Sequence, residues 1–264
     1  CRDITKSHCS DVLDEAMKRG EHAAASLSTV LAAFFAWLEK RGAIKETPMK
    51  TVERIVIENI GERTLTDEEI KIFWSACDQI GAPFGSMFKT MLLTGQRRTE
   101  VASMRFPDID FTAKEWRIPS ASTKNAAPHV VYLSDEVVKI IETMPRFNEC
   151  DFVFTTDGKT FSSGFSKAKD TLDERMPGVA DWRLHDLRRT VSTRFAQMGV
   201  PLQVAEKILN HGRGSLSGIA GRYNLYDYAA ERRAALGNWA VIVLRVVSGA
   251  ASNVVPIRAE PAST

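Results

Sequence analysis

The stretch "RLHDLRRTVSTRFAQMG", residues 183–199, anchors the reading of the whole chain. Leu184, Leu187, Val191, Phe195 and Met198 recur at three- and four-residue spacing, which draws one apolar stripe along a helix that Gly199 closes. Pro201 then opens the next helix at its first position, where the missing N–H is tolerated. At about 100° per residue, His185 and Arg188 fall together on the border of the stripe, half sheltered by the core. Alone, the pair fits two readings: pre-oriented donors for an anion, or a surface arginine beside a histidine near a helix start.

Upstream, Thr66 and Glu69 form a capping box, with Leu65 and Ile70 placed as its hydrophobic staple. Helices are expected over 67–80 and 83–94, then a short one after Arg98. Three strand-like runs follow, "EWRIP" from 115, "HVVYLS" from 129 and "DFVFT" from 151, the first two joined by the polar "SASTKNAAP". The pattern predicts a mainly α fold with a small antiparallel β-sheet (α+β). Further upstream, "STVLAAFFAWLEKRG" sets Val30, Leu31, Phe34, Phe35 and Leu38 at helical spacing before Gly42. The stretch 44–63, with Pro48 and Gly61, reads as a linker. The expected division is a helical domain with linker over 1–62, a second domain over 63–247, and a disordered tail over 248–264, rich in Ala, Ser and Pro.

Composition bounds the function. The 264 residues, 44% hydrophobic, suffice for two cores, and 35 basic against 33 acidic residues leave a net charge of +2. Between Arg183 and Arg233, however, nine Lys or Arg face four Asp or Glu, the most basic functional-looking region. Cys1, Cys9, Cys77 and Cys150 form no CxxC pair, so a reducing compartment fits and a zinc site does not. No run of eighteen apolar residues occurs, "WAVIVLRVV" from Trp239 being short and broken by Arg245. No signal peptide is recognised, and a chain that opens on Cys1 is expected to lack a preceding part. There is no P-loop, and no carboxylate cluster of the kind that holds a nuclease metal pair.

Two further motifs accompany HxxR. "LLTGQRRTEVASMRFPDID", from Leu92, places Arg97 at a turn after Gly95, with Glu100 one helical turn on, where it can orient a basic side chain or simply form a surface ion pair. "KILNHGRG" ends a helix near Asn210, His211 and Gly212, where a histidine is commonly a C-terminal cap.

Together these pieces resemble the tyrosine recombinase, or phage integrase, family over about residues 66–240: Thr94, Gly95, Arg97 and Glu100; Lys124 in "TKN"; His185 and Arg188; His211 in "LNHG"; Tyr223 in "GRYNLYDY". Residues 20–50 look like the end of that family's helical core-binding domain. One departure is that His211 and Tyr223 stand twelve residues apart where many members have nine; the glycine-rich "GRGSLSGIAG" can absorb the extra length. The resemblance implies a site-specific recombinase that integrates or excises a mobile element or phage through a 3′-phosphotyrosyl intermediate at Tyr223. It further implies a cytoplasmic, nucleoid-associated enzyme of bacterial or phage origin. No cofactor or metal is expected. Expected partners are double-stranded DNA, other copies of the chain in a tetramer on DNA (monomeric when free), and a DNA-bending accessory protein.

The residue types suit that chemistry. Fixed guanidinium groups, Arg97 and Arg188, can stabilise charge on a phosphodiester's nonbridging oxygens. His185 and His211 add hydrogen bonds, His185 being favoured as acceptor of the phenolic proton, since a pKa near 10 leaves an unaided phenol a poor nucleophile. Lys124 would protonate the departing 5′ oxygen, and Glu100 would support. Tyr226 and Tyr228 are rivals to Tyr223. The apolar "ALGNWAVIVL", from Ala235, can pack in cis or dock on a neighbouring copy. A type IB topoisomerase-like enzyme would need no defined site, and a noncatalytic DNA-binding protein should have lost one of the six polar positions. A phosphatase would leave Lys124 and Tyr223 idle.

Overall fold

The computed structural model describes residues 4–55, 63–123, 127–179, 181–210 and 226–250. The chain divides into two compact units, Cys1–Gly61 and Glu62–Thr264.

In the first unit, α1 (Lys6–Met17) and α2 (Glu21–Lys40) pack together. Cys9 and Leu13 meet Phe35 and Met49 in a small core, flanked by Leu27, Leu31 and Leu38. The i, i+4, i+7 row of Val30, Phe34 and Trp37 lies outside it and is exposed. Among the described residues α2 is the one helix long and apolar enough to cross a membrane by length and composition.

The second unit opens with α3 (Asp67–Ile80). Its capping box forms as expected: the Glu69 N–H donates to Thr66 Oγ1 at 3.3 Å and the Thr66 N–H to Glu69 Oε2 at 2.9 Å. Leu65 and Ile70 are both buried. α4 (Phe84–Thr94) ends at Gly95, whose φ of +67° is the left-handed cap a glycine adopts without penalty. A short α5 (Arg98–Ala102) follows.

The sheet comprises β1 (Ile109–Asp110), β2 (Glu115–Ile118) and β3 (His129–Tyr132), antiparallel in that order, with Trp116 opposite both Ile109 and Val131, and Ile118 opposite His129. Two of the three expected strands are here; "DFVFT" is not a strand. Its backbone makes one bridge, with the Phe106 N–H donating to the Asp151 carbonyl and the Val153 N–H to the Met104 carbonyl, both at 2.9 Å. The chain then turns around Asp157, whose carboxylate accepts the Lys159 and Thr160 N–H groups. Burial of Val153 and Phe154 explains the apolar pattern, but the turn leaves no length for a ladder. The place of third strand goes to β1, too short to show periodicity.

Helices α6 (Asp135–Glu142), α7 (Phe165–Asp173), α8 (Leu184–Gln197), α9 (Leu202–Ile208) and α10 (Ala229–Ser248) complete the unit. Pro201 stands at the N-cap of α9, one residue earlier than expected. Leu184, Leu187, Val191 and Phe195 bury the predicted stripe of α8. α10 packs in cis: Leu236, Trp239 and Val243 are buried, and the Trp239 indole N–H donates to the Leu92 carbonyl at 2.8 Å. That carbonyl lies in the last turn of α4, where helical carbonyls lack intrahelical donors. The tail expected beyond Ser248 lies, from residue 251, outside the described residues.

Candidate active site

The chain turns at Gly95 because α4 ends there, and this brings Arg97 to the N-cap of α5. Glu100, one turn on, is 2% exposed; its Oε2 accepts the Arg97 backbone N–H and its Oε1 the Arg97 Nη1–H, both at 2.9 Å. Glu100 is thus a two-point clamp that holds both the backbone and the fork of Arg97. Burial distinguishes it from a solvated ion pair, which contributes little.

Arg188 projects from α8 and is 5% exposed, so it lies within the core rather than on the border of the stripe. α8 packs against α4, α9 and α10, and this covers the side chain. Its Nη1–H donates to the Gly95 carbonyl at 2.8 Å and its Nη2–H to the Leu209 carbonyl. Burial, then the charge of Arg97, lowers its pKa to about 10, against the pull of Glu100 and Glu206. His185 is exposed, contrary to the expected half-shelter. Partial desolvation and then the charges of Arg189 and Arg188 lower its pKa, which favours the neutral imidazole.

The two guanidinium groups converge on the C-terminal end of α9. Helix ends carry carbonyls without partners and the negative pole of the macrodipole. Here the end is capped from outside: Ile208 O accepts from Gln96 Nε2 at 2.9 Å and from His129 Nε2 at 3.1 Å, Leu209 O accepts from Arg188, and Asn210 O accepts from Arg97 Nη2 at 3.0 Å. Asn210 takes a left-handed φ of 47°, a conformation asparagine tolerates at a helix exit. Each guanidinium has five N–H donors. Two of each fork serve protein carbonyls or Glu100 in these bonds, and the remainder can serve an anion.

Arg97, Glu100 and Arg188 are therefore brought together, with His185 on the same helix as Arg188. Lys124, His211 and Tyr223 lie outside the described residues. Their flanks are described. Thr123 Oγ1 lies 2.8 Å from the Ala127 carbonyl, pinning the two sides of the 124–126 stretch, and His211 directly follows Asn210. Tyr226 is exposed and non-helical, its ring edge-on to Tyr228 at 4.8 Å, and Tyr228 is the N-cap of α10, at a helix start as expected. Sequence reasoning missed Gln96 and His129. The available signals were a polar side chain between Gly95 and Arg97, and a histidine opening an otherwise apolar strand.

The fold and the site define a mainly helical class with a small antiparallel sheet, in which two arginines from separate helices meet at one helix end. The Phage integrase family model matches residues 63–224, and the chain belongs to that family. It is 33% identical over 164 residues to Prophage integrase IntA of Escherichia coli K12, an alignment covering 62% of this chain and 39% of that protein. It is 25% identical to the XerC-like tyrosine recombinase of Caldanaerobacter subterraneus, covering 79% of this chain and 62% of that protein. The chain thus spans about two fifths of the first of these relatives. In fold it is similar to a lambda integrase fragment crystallised as a dimer bound to a COC′ core site, with TM-score 0.61, 14% identity and 80% of each chain covered. A lambda integrase tetramer bound to a Holliday junction matches with TM-score 0.61 and 15% identity, over 80% of this chain and 65% of that one.

Proposed function

We propose that the chain is a site-specific tyrosine recombinase that cleaves and rejoins double-stranded DNA, serving integration or excision of a mobile element. The observation that carries this reading is the convergence of Arg97 and Arg188, one clamped by Glu100 and the other buried, on a single helix end. Pre-organised donors of this kind favour the charge that grows on a phosphoryl group during displacement. The Tyr223 phenolic oxygen attacks the scissile phosphorus and its proton passes to His185. Arg97, Arg188 and His211 stabilise the nonbridging oxygens, and the P–O5′ bond breaks as Lys124 protonates the leaving oxygen. The product is a 3′-phosphotyrosyl ester and a free 5′ hydroxyl. Attack by a 5′ hydroxyl reverses the step with no energy source, since the ester conserves the bond.

The helical first unit is read as part of a core-binding domain that closes on the duplex, with basic side chains on phosphates. Because lambda integrase is solved as a dimer on a core site and a tetramer on a Holliday junction, we assign a tetramer on DNA to this chain, with a DNA-bending accessory protein as a further partner. The test uses a library of nicked suicide duplexes with a randomised core, from which covalent adducts are recovered on a denaturing gel and sequenced. Wild type should yield adducts on a defined sequence and Tyr223→Phe none, while Tyr226→Phe and Tyr228→Phe still do. Peptide mapping of the adduct to Tyr226 would overturn the nucleophile, and absence of any adduct would overturn the reaction.

A further inference from the structure

His129 is 7% exposed, and its Nε2 lies 3.1 Å from the Ile208 carbonyl, which also receives Gln96 Nε2. The next residue of β3 makes a second tie: the Val130 carbonyl accepts from Arg232 Nη2, and Arg232 Nη1 donates to Asp227 Oδ1 at 2.8 Å. Two successive residues of one strand therefore hold residue 208 on one side, and residues 227 and 232 on the other, of the stretch that contains His211 and Tyr223 in sequence. The same strand begins just after the connection bearing Lys124, and it is fixed to β2 by the pairing of His129 with Ile118.

We propose that His129 is a positioning residue for strand cleavage: its donated hydrogen bond fixes the α9 end, and through the Leu209 and Asn210 carbonyls it fixes the forks of Arg188 and Arg97. This rests on the recombinase reading above. Histidine suits the task for two reasons. Its Nε2–H reaches a carbonyl beyond the strand's own backbone, and it does so without charge. Burial, with Arg232, Arg188 and Arg97 nearby, pushes its pKa down to about 3 against the pull of the Ile208 carbonyl, so the ring stays neutral. A lysine or arginine would bring a fourth cation into a cluster that already holds three.

The test compares His129→Met, which fills the space without a donor, with His129→Gln, which restores an N–H at similar reach. On adduct-forming duplexes, Met should slow single-turnover cleavage of bound DNA by about five- to tenfold, the scale of one buried neutral hydrogen bond. Its Kd should stay within about twofold of wild type and Gln should recover the rate, because donor position alone differs. In the DNA-free protein, the Nε–Hε NMR resonances of Arg97 and Arg188 should move in Met and return in Gln. Wild-type cleavage by the Met variant, or arginine resonances unmoved by it, would overturn the proposal, as would a defect that Gln leaves uncorrected in a folded protein. Failure of wild type to form adduct would instead count against the recombinase reading, and the resonances would still decide the role of His129.

Discussion

Arg188→Ala should damage the protein in two separable ways, because the side chain is a structural strut and, in the proposed reaction, a hydrogen-bond donor to the phosphate. Its two bonds, to the Gly95 and Leu209 carbonyls, are made by a charged donor in a buried place. At ~1.5–3 kcal/mol each they set a ceiling near ~6 kcal/mol. Removing the guanidinium also relieves the several kcal/mol that a buried ion costs, so the net loss should be ~2 kcal/mol. For a unit of this size that lowers Tm by roughly 4–8 °C, measured by calorimetry at neutral pH. Cleavage, assayed well below that Tm on bound suicide substrate, should fall by at least ~100-fold, the loss expected for one transition-state donor. Binding should hold, since many other basic groups share the phosphate contacts. An unchanged Tm would refute the strut. Binding and cleavage that fall by one common factor would refute the catalytic role.

Gly95→Ala should cost ~2–4 kcal/mol in urea unfolding, because a Cβ there would lie 2.9 Å from Leu209 Cδ2 and 3.0 Å from Val191 Cγ1 at φ +67°. Gly199→Ala, at φ +72° with open space around it, should cost only ~1–2 kcal/mol, and equal losses would refute the crowding argument. His129 has an ordinary pKa of 6.5 when unfolded and about 3 when folded, so the unfolded chain binds the extra proton and stability is lost as pH falls from 6.5 toward 3. His129→Gln should therefore gain about 2 kcal/mol on wild type between about pH 7.5 and pH 5, and a gap independent of pH would show that the imidazole is not held neutral. Lys124→Ala should be rescued by a 5′-bridging sulfur substrate, whose thiolate leaves without protonation. Lys114→Ala should be silent on both substrates, since Lys114 pairs with Asp135 at the surface; equal impairment of Lys124→Ala on sulfur and oxygen would exclude it as general acid.

Local rules accounted for much of this protein from its amino-acid order alone. The Thr66–Glu69 capping box, the glycine exit after α4, the stripe of α8 and the two longer strands each depend on residues within a few positions of one another, and the structure forms all of them. Arg97, Glu100, His185 and Arg188 were nameable for the same reason, since each sits in a short motif whose members share one turn. Where short-range patterning was ambiguous it failed: "DFVFT" is apolar at its centre because Val153 and Phe154 are buried, and burial of side chains does not by itself supply a partner strand.

Tertiary structure decided what the motifs are attached to. Arg188 reaches Gly95, 93 positions away, and Arg97 reaches Asn210, 113 away. His129 and Gln96 meet at Ile208, 79 and 112 positions from it. Their partners are main-chain carbonyls, which every residue possesses, so no side-chain pattern marks them in advance. Whether an arginine ends at the border of a stripe or within the core likewise depends on which helices cover it. Periodicity along α8 could place Arg188 on a face; only the packing of α4, α9 and α10 around that face could bury it, because burial is a property of neighbours brought from elsewhere in the chain.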